Sequence, residues 1–179
     1  EIAHMKAKIL AICGSTRQES SNKSLIHAIS QLFSETIELK MYADLTLIPI
    51  FNPDIQDHDF PSEVLHLKQL IVASDGVLIC TPEYAMGVPG ALKNALDWCV
   101  SSVVFSNKPT ALITSSLNGL KGHQSLMETL KIIECSMTKE TELVIQAVKS
   151  KIKANQITDP GTESEVKWVI ESLISLINK

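Results

Sequence analysis

KAKILAICGSTRQESSNKSLIHAISQLF, residues 6–33, is the stretch on which the fold turns. Its first eight residues form an apolar run of strand type, and Leu25, Ile29, Leu32 and Phe33 then recur at helical spacing. Between them lie Gly14, Arg17 and the hydroxyls of Ser15, Thr16, Ser20 and Ser21. A strand running through a short polar loop into a helix is the opening unit of an alternating α/β chain. Glycine and hydroxyl residues are ordinary turn formers. A plain turn does not call for an arginine among hydroxyls at the head of a helix.

The same alternation continues downstream. IELKMY (37–42) reads as a second strand, and the connection LTLIPIFNPDIQDHDFP that follows is denied regular structure by its prolines and aspartates. Val64, Leu67, Leu70 and Ile71 mark a helix, and GVLICT (76–81) is a continuous apolar run of the kind buried on both faces. Pro89 can open the next helix, whose inner stripe is Leu92, Ala95, Leu96 and Cys99. TALITS (110–115) and ETELVI (140–145) supply two more strands, separated by a helix carrying Leu126, Leu130 and Ile133. The last helix is expected to start at Thr162, with Glu165 three positions on as a capping box, and to turn Val166, Val169, Ile170, Leu173 and Ile177 inward. Five strands alternating with five helices imply one parallel sheet covered on both faces.

Composition narrows the function. A chain of 179 residues with 45% hydrophobic and 20% charged side chains is expected to form one soluble domain, residues 5–179, with EIAH before Met5 reading as an expression remnant. The 16 basic against 20 acidic side chains leave a formal charge of −4 with no basic block, which argues against nucleic acid or an anionic membrane as partner. No apolar stretch reaches the ~20 residues needed to span a bilayer, so a cytoplasmic protein is expected. Cys13, Cys80, Cys99 and Cys135 are widely spaced and read as buried thiols of a reducing compartment.

Ligands of such sheets sit beyond the carboxyl ends of the strands, where strand order reverses. Three loops belong there. GSTRQESSN (14–22) places a helix start, hydroxyls, the Asn22 amide and Arg17 around one point, an arrangement suited to a phosphate. GxGxxG fails because Gly14 is the only glycine of the loop, and GxxxxGK[ST] is absent. A tyrosine-phosphatase arrangement needs five residues between cysteine and arginine; here three separate Cys13 from Arg17, and Glu19 holds the required position. The second loop, TPEYAMGVPG (81–90), has glycines that let backbone approach a flat ligand, and the third, TSSLNGLKG (114–122), again mixes small and polar residues.

With these residues in view, GSTRQESSN resembles the GSxRxxSxN phosphate loop of the NAD(P)H-dependent FMN reductases. TPEYAMGVPGALKNALDW (81–98) resembles their TPEYNxxxPGxLKNAxDW segment, within a chain similar in order and length from Met5 onward. The resemblance implies a flavodoxin-like doubly wound α/β fold with five parallel strands in the order 2-1-3-4-5. It implies that Ser15, Arg17, Ser20 and Asn22 hold the phosphate of FMN, that Pro82, Glu83, Tyr84 and the backbone near Ala85 border the flavin, and that Ser115 and Gly119 approach the ring. NADPH or NADH would be the co-substrate, and a quinone, azo compound, free flavin or similar small molecule the acceptor, in ping-pong order. A homodimer or homotetramer is implied, with Trp98 a candidate for the subunit interface. Ala85 departs from the family's usual asparagine, and Leu117 and Lys121 replace a proline and a glycine, which bears on access to the ring.

The rival reading is a flavodoxin-like electron carrier that binds FMN and protein partners without nicotinamide. Flavodoxins carry a TxTGxT loop, aromatic side chains on both ring faces and a strongly acidic surface, whereas this chain has Arg17, only Tyr84 among its loop aromatics, and a mild charge. A third reading keeps the fold without the cofactor. No metal site and no general acid or base is assigned: DHD (57–59) reads as a solvated turn, and His123 as a surface histidine at a helix start.

Overall fold

The computed structural model describes residues 5–179; the four residues read as a remnant lie outside the described residues. Strand β1 (Ala7–Cys13) pairs in parallel with β2 (Ile37–Met41) on one side and β3 (Gly76–Thr81) on the other. Beyond β3 follow β4 (Thr110–Ser115) and β5 (Glu142–Ile145), so the sheet order is β2-β1-β3-β4-β5 with every pairing parallel. The order reverses at β1, which puts the first and third connections on opposite sides of the sheet.

Alternation along β1 explains why its run is unbroken. Ile9, Ala11 and Cys13 enter a core with α1 (Ser21–Leu32) and α6 (Pro160–Ile177), while Leu10 and Ile12 enter a second core with α2 (Ser62–Ala73), α3 (Gly90–Asp97) and α4 (Leu120–Ile132). A strand covered on both faces has no position at which a polar side chain is cheap. Within α1 the inward residues are Leu25, Ile26, Ala28 and Ile29, whereas Leu32 is 42% exposed at the last turn. All four cysteines are free; Cys13, Cys80 and Cys99 are buried, and burial pushes the Cys99 thiol up to about 12.

Three expectations are corrected. Helix α6 starts at Pro160, not Thr162: Asp159 is the cap, its Oδ2 accepting from the Thr162 amide at 2.8 Å and the Thr162 hydroxyl at 2.7 Å. A carboxylate cap followed by proline at the first helical position prevails over the weaker threonine pattern. The connection after β2 is not wholly irregular, since Leu45–Leu47 and Asp57–Asp59 form 3-10 turns. A short helix α5 (Val148–Lys151) and a hairpin of β6 (Ile152–Lys153) and β7 (Gln156–Ile157) precede α6, and their Ile152 and Ile157 complete the α1 core. The hairpin turn puts Ala154 and Asn155 at φ 46 and 61, and alanine hides a turn that glycine or asparagine at both positions would have announced.

Trp98 is fully buried in the protein's own core, not at a subunit interface. Its Nε1 donates to the Pro49 carbonyl at 2.8 Å, and Phe51 and Phe60 meet its ring edge-on at 5.2 and 5.4 Å. Asn94 adds a bond from Nδ2 to Pro49 O at 2.9 Å and accepts the Phe51 amide at 2.8 Å. The long connection is thereby pinned over α3. Trp98→Ala is expected to cost about 3–5 kcal/mol and Trp98→Phe, which loses the indole donor and part of the ring volume but keeps an aromatic core, about 2 kcal/mol. Urea unfolding followed by circular dichroism measures both, and gel filtration is expected to show no change of oligomeric state for Trp98→Phe.

Candidate active site

Parallel pairing brings the carboxyl ends of β1, β3 and β4 to one edge of the sheet, and the three glycine- and hydroxyl-containing loops with them. Gly14 continues the β1–β3 ladder by donating its amide to Cys80 O at 2.8 Å. A Cβ there would lie 2.1 Å from Thr81 Oγ1, so only glycine lets the first loop leave the sheet this close to β3.

Beyond Gly14 the chain turns outward. Ser15 is buried and its Oγ accepts the Arg17 amide at 3.3 Å, while Thr16, Arg17, Gln18 and Glu19 are exposed. Ser20 caps α1 in an extended conformation, its Oγ accepting the Asn22 amide at 3.2 Å. The amides of Thr16, Gln18 and Glu19 donate to no group among the described residues. Free amides, an exposed guanidinium and the positive end of a 12-residue helix make a corner whose chemistry fits a dianionic phosphate. Thiolate chemistry is not offered here: burial raises the Cys13 thiol, which donates to Ser15 O at 3.6 Å.

Asn22 reaches across β3. Its Nδ2 donates to Ser115 O at 3.2 Å and its Oδ1 accepts from Ser115 Oγ at 2.7 Å, both groups buried. The side chains expected to touch phosphate and ring therefore hold each other, and their visible work is to tie the start of α1 to the end of β4.

In the second loop Tyr84 and Gly87 exchange two backbone hydrogen bonds, 3.0 and 2.9 Å, around Ala85 and Met86 at φ 48 and 59. Two consecutive left-handed residues make a type I′ turn. It presents Tyr84, 45% exposed, and Met86, 73% exposed, at the sheet edge. The Tyr84 hydroxyl lies 3.4 Å from Ser15 Oγ, which joins the second loop to the first.

Glu83, expected to border the flavin, turns its carboxylate to α4. Oε1 accepts the Gly119 amide at 3.1 Å and Oε2 the Gly122 amide at 2.6 Å. His123 in the same turn is buried, correcting the surface position expected for it: Nδ1 lies 2.8 Å from Thr114 Oγ1 and Nε2 3.1 Å from Glu142 Oε2. Neither contact has a local signal, because each partner comes from another strand or loop. His58 and its flanking aspartates form an exposed turn.

Comparison with known proteins supplies the context of this edge. The family model described as NADPH-dependent FMN reductase matches residues 7–149. A 2-hydroxy-1,4-benzoquinone reductase of a Burkholderia species is 34% identical over 157 residues, 84% of this chain and 85% of that protein. An NAD(P)H-dependent FMN reductase of Pseudomonas aeruginosa is 30% identical over 172 residues, 93% and 92%. Among solved structures, the flavoenzyme NAD(P)H:(acceptor) oxidoreductase FerB of Paracoccus denitrificans superposes with a TM-score of 0.85 at 27% identity, covering 96% of this chain and 97% of its own.

The turn at Ala85 and Met86 is open to a direct test. An L-residue in the left-handed region is disfavoured, and asparagine is disfavoured least among residues with a side chain. Ala85→Asn is expected to stabilise the fold by about 0.5–1 kcal/mol, while Ala85→Val, β-branched at positive φ, lowers stability. The shift in urea midpoint at constant slope reports both.

Proposed function

The chain belongs to the NADPH-dependent FMN reductase family, and on that premise we propose that it is an NAD(P)H:acceptor oxidoreductase whose FMN carries electrons from nicotinamide to a quinone, azo compound or flavin in ping-pong order. The observation that carries this is the corner at the head of α1, where Arg17 and unclaimed amides stand beside a capped helix start.

On this reading Arg17, the Ser15–Ser20 loop amides and the hydroxyls of Ser15 and Ser20 bind the phosphate. Asn22 and Ser115 keep the phosphate loop in register with β4, since a ligand held at both loops needs them at fixed separation. The backbone of Pro82, Glu83, Tyr84 and Ala85 borders the ring on one side and Gly119 on the other. Tyr84 supplies an aromatic face, and Met86, Leu117 and Leu120 are exposed apolar side chains on the same two loops. Leu117, 85% exposed, favours flat uncharged acceptors over small anions by offering apolar contact and no charge. No side chain is assigned as general acid or base.

Homodimerisation at this edge goes with the reading, because a second copy would cover the exposed Met86 and Leu117 and finish the acceptor pocket. A cytoplasmic location is part of the proposal, supported by four free cysteines; among the described residues no helix is long and apolar enough to cross a membrane.

Anaerobic titration tests the function. FMN-loaded protein is expected to lose its yellow absorbance with one equivalent of NADPH or NADH and regain it with a benzoquinone. Flavin that stays oxidised under both nicotinamides overturns the reductase reading in favour of an electron carrier. Arg17→Ala is expected to weaken FMN binding by about tenfold to a hundredfold, the loss of one charged hydrogen-bonding partner, as read by quenching of flavin fluorescence.

A further inference from the structure

Helix α4 begins without a cap of its own. Gly119 occupies the cap position at φ 93 with no side chain to offer, and the first turn contains no acidic residue. Its leading amides and its positive end would be left to solvent at the edge where ligands approach. Glu83 supplies partners for two of these amides from a different loop, one oxygen to each of Gly119 and Gly122. The contact leaves little room at 122: a Cβ there would stand 3.0 Å from Gly87 O and 3.1 Å from Glu83 Cγ, so an added methyl must push the second loop away by a few tenths of an ångström.

The turn that receives Glu83 is itself fixed. His123, next in sequence to Gly122, is held by Thr114 of β4 and Glu142 of β5. On the other side of Glu83 stands Tyr84, whose hydroxyl is 3.4 Å from Ser15 Oγ in the phosphate loop. A continuous line of contacts thus runs from the sheet through α4, Glu83 and Tyr84 to the first loop.

We infer that Glu83 is a positioning residue: its carboxylate, capping α4 from outside the helix, sets the separation of the second and third loops and the register of Tyr84 against the phosphate loop. The inference rests on the flavin reading given above and assigns Glu83 an indirect part in it, with no contact to the ring from its side chain. Charge is integral to the role, since two amides converge on one group and only a carboxylate accepts at both oxygens.

Glu83→Gln keeps the shape and replaces one acceptor by an amide group that faces an N–H. It is expected to raise the dissociation constant of FMN about tenfold or more. Hydrogen exchange at the Gly119 and Gly122 amides of the apoprotein is expected to accelerate, and kcat at saturating FMN to fall less than the affinity does. Gly122→Ala retains the carboxylate but separates the same two segments, and is expected to weaken FMN in the same direction. A purely structural carboxylate would lower the urea midpoint while leaving FMN affinity as in the wild type, and that result overturns the inference. A wild-type chain that binds no FMN would overturn the flavin reading itself. Unaltered exchange at Gly119 and Gly122 in Glu83→Gln would overturn the clamp alone.

Discussion

Burial of β1, β3 and β4 on both faces is the constraint from which the rest follows. Ile9, Ala11, Leu78 and Ile113 face one core and Leu10, Ile12, Ile79 and Leu112 the other, and each of the leucines and isoleucines contributes about 1.5–3 kcal/mol when fully removed from water. Strands joined in sequence by crossover helices run parallel, and parallel strands deliver their carboxyl ends to a single edge. The loops at 14–20, 82–89 and 116–119 meet there as a consequence of core packing, before any ligand is considered.

Meeting at an edge does not align loops to the tolerance a flavin requires. Polar side chains complete the alignment, each joining segments that the hydrophobic core only brings near. Asn22 and Ser115 bridge over β3, Glu83 hangs the second loop on α4, and His123 locks α4 to β4 and β5. Each bond is wholly or partly buried, where an unmatched partner is costly, so these ties also oppose alternative packings of the loops. The groups proposed to face the ligand are left exposed by contrast: Arg17, Tyr84 and the tip of the type I′ turn.

The residues read from the sequence divide along the same line. The start of α1 was legible because the polar loop and the helical period of Leu25 and Ile29 lie within a few residues of each other, whereas the structure alone shows that Ser20 caps it through the Asn22 amide. The parallel sheet was legible because a fully buried strand declares itself as an unbroken apolar run. The carboxylate contacts of Glu83 and the burial of His123 were not legible because their partners lie 36 and 39 residues away for one and 9 and 19 for the other, in segments joined only by β3–β4 and β4–β5 pairing. Trp98 was misassigned for the same reason, its acceptor being the Pro49 carbonyl 49 residues back in a connection whose prolines advertise only irregularity.

By itself the sequence determined the alternation of strands and helices, the two-sided core, the polar hydroxyl-rich loop at Gly14–Asn22 and, through the 81–98 segment, the family. Those properties are written in periods and neighbours a few residues apart. Only the tertiary structure decided which polar side chains are paired with one another and which are left exposed, because a side chain's partner is chosen by strand pairing and helix packing over tens of residues, and composition at a single position carries no record of that choice.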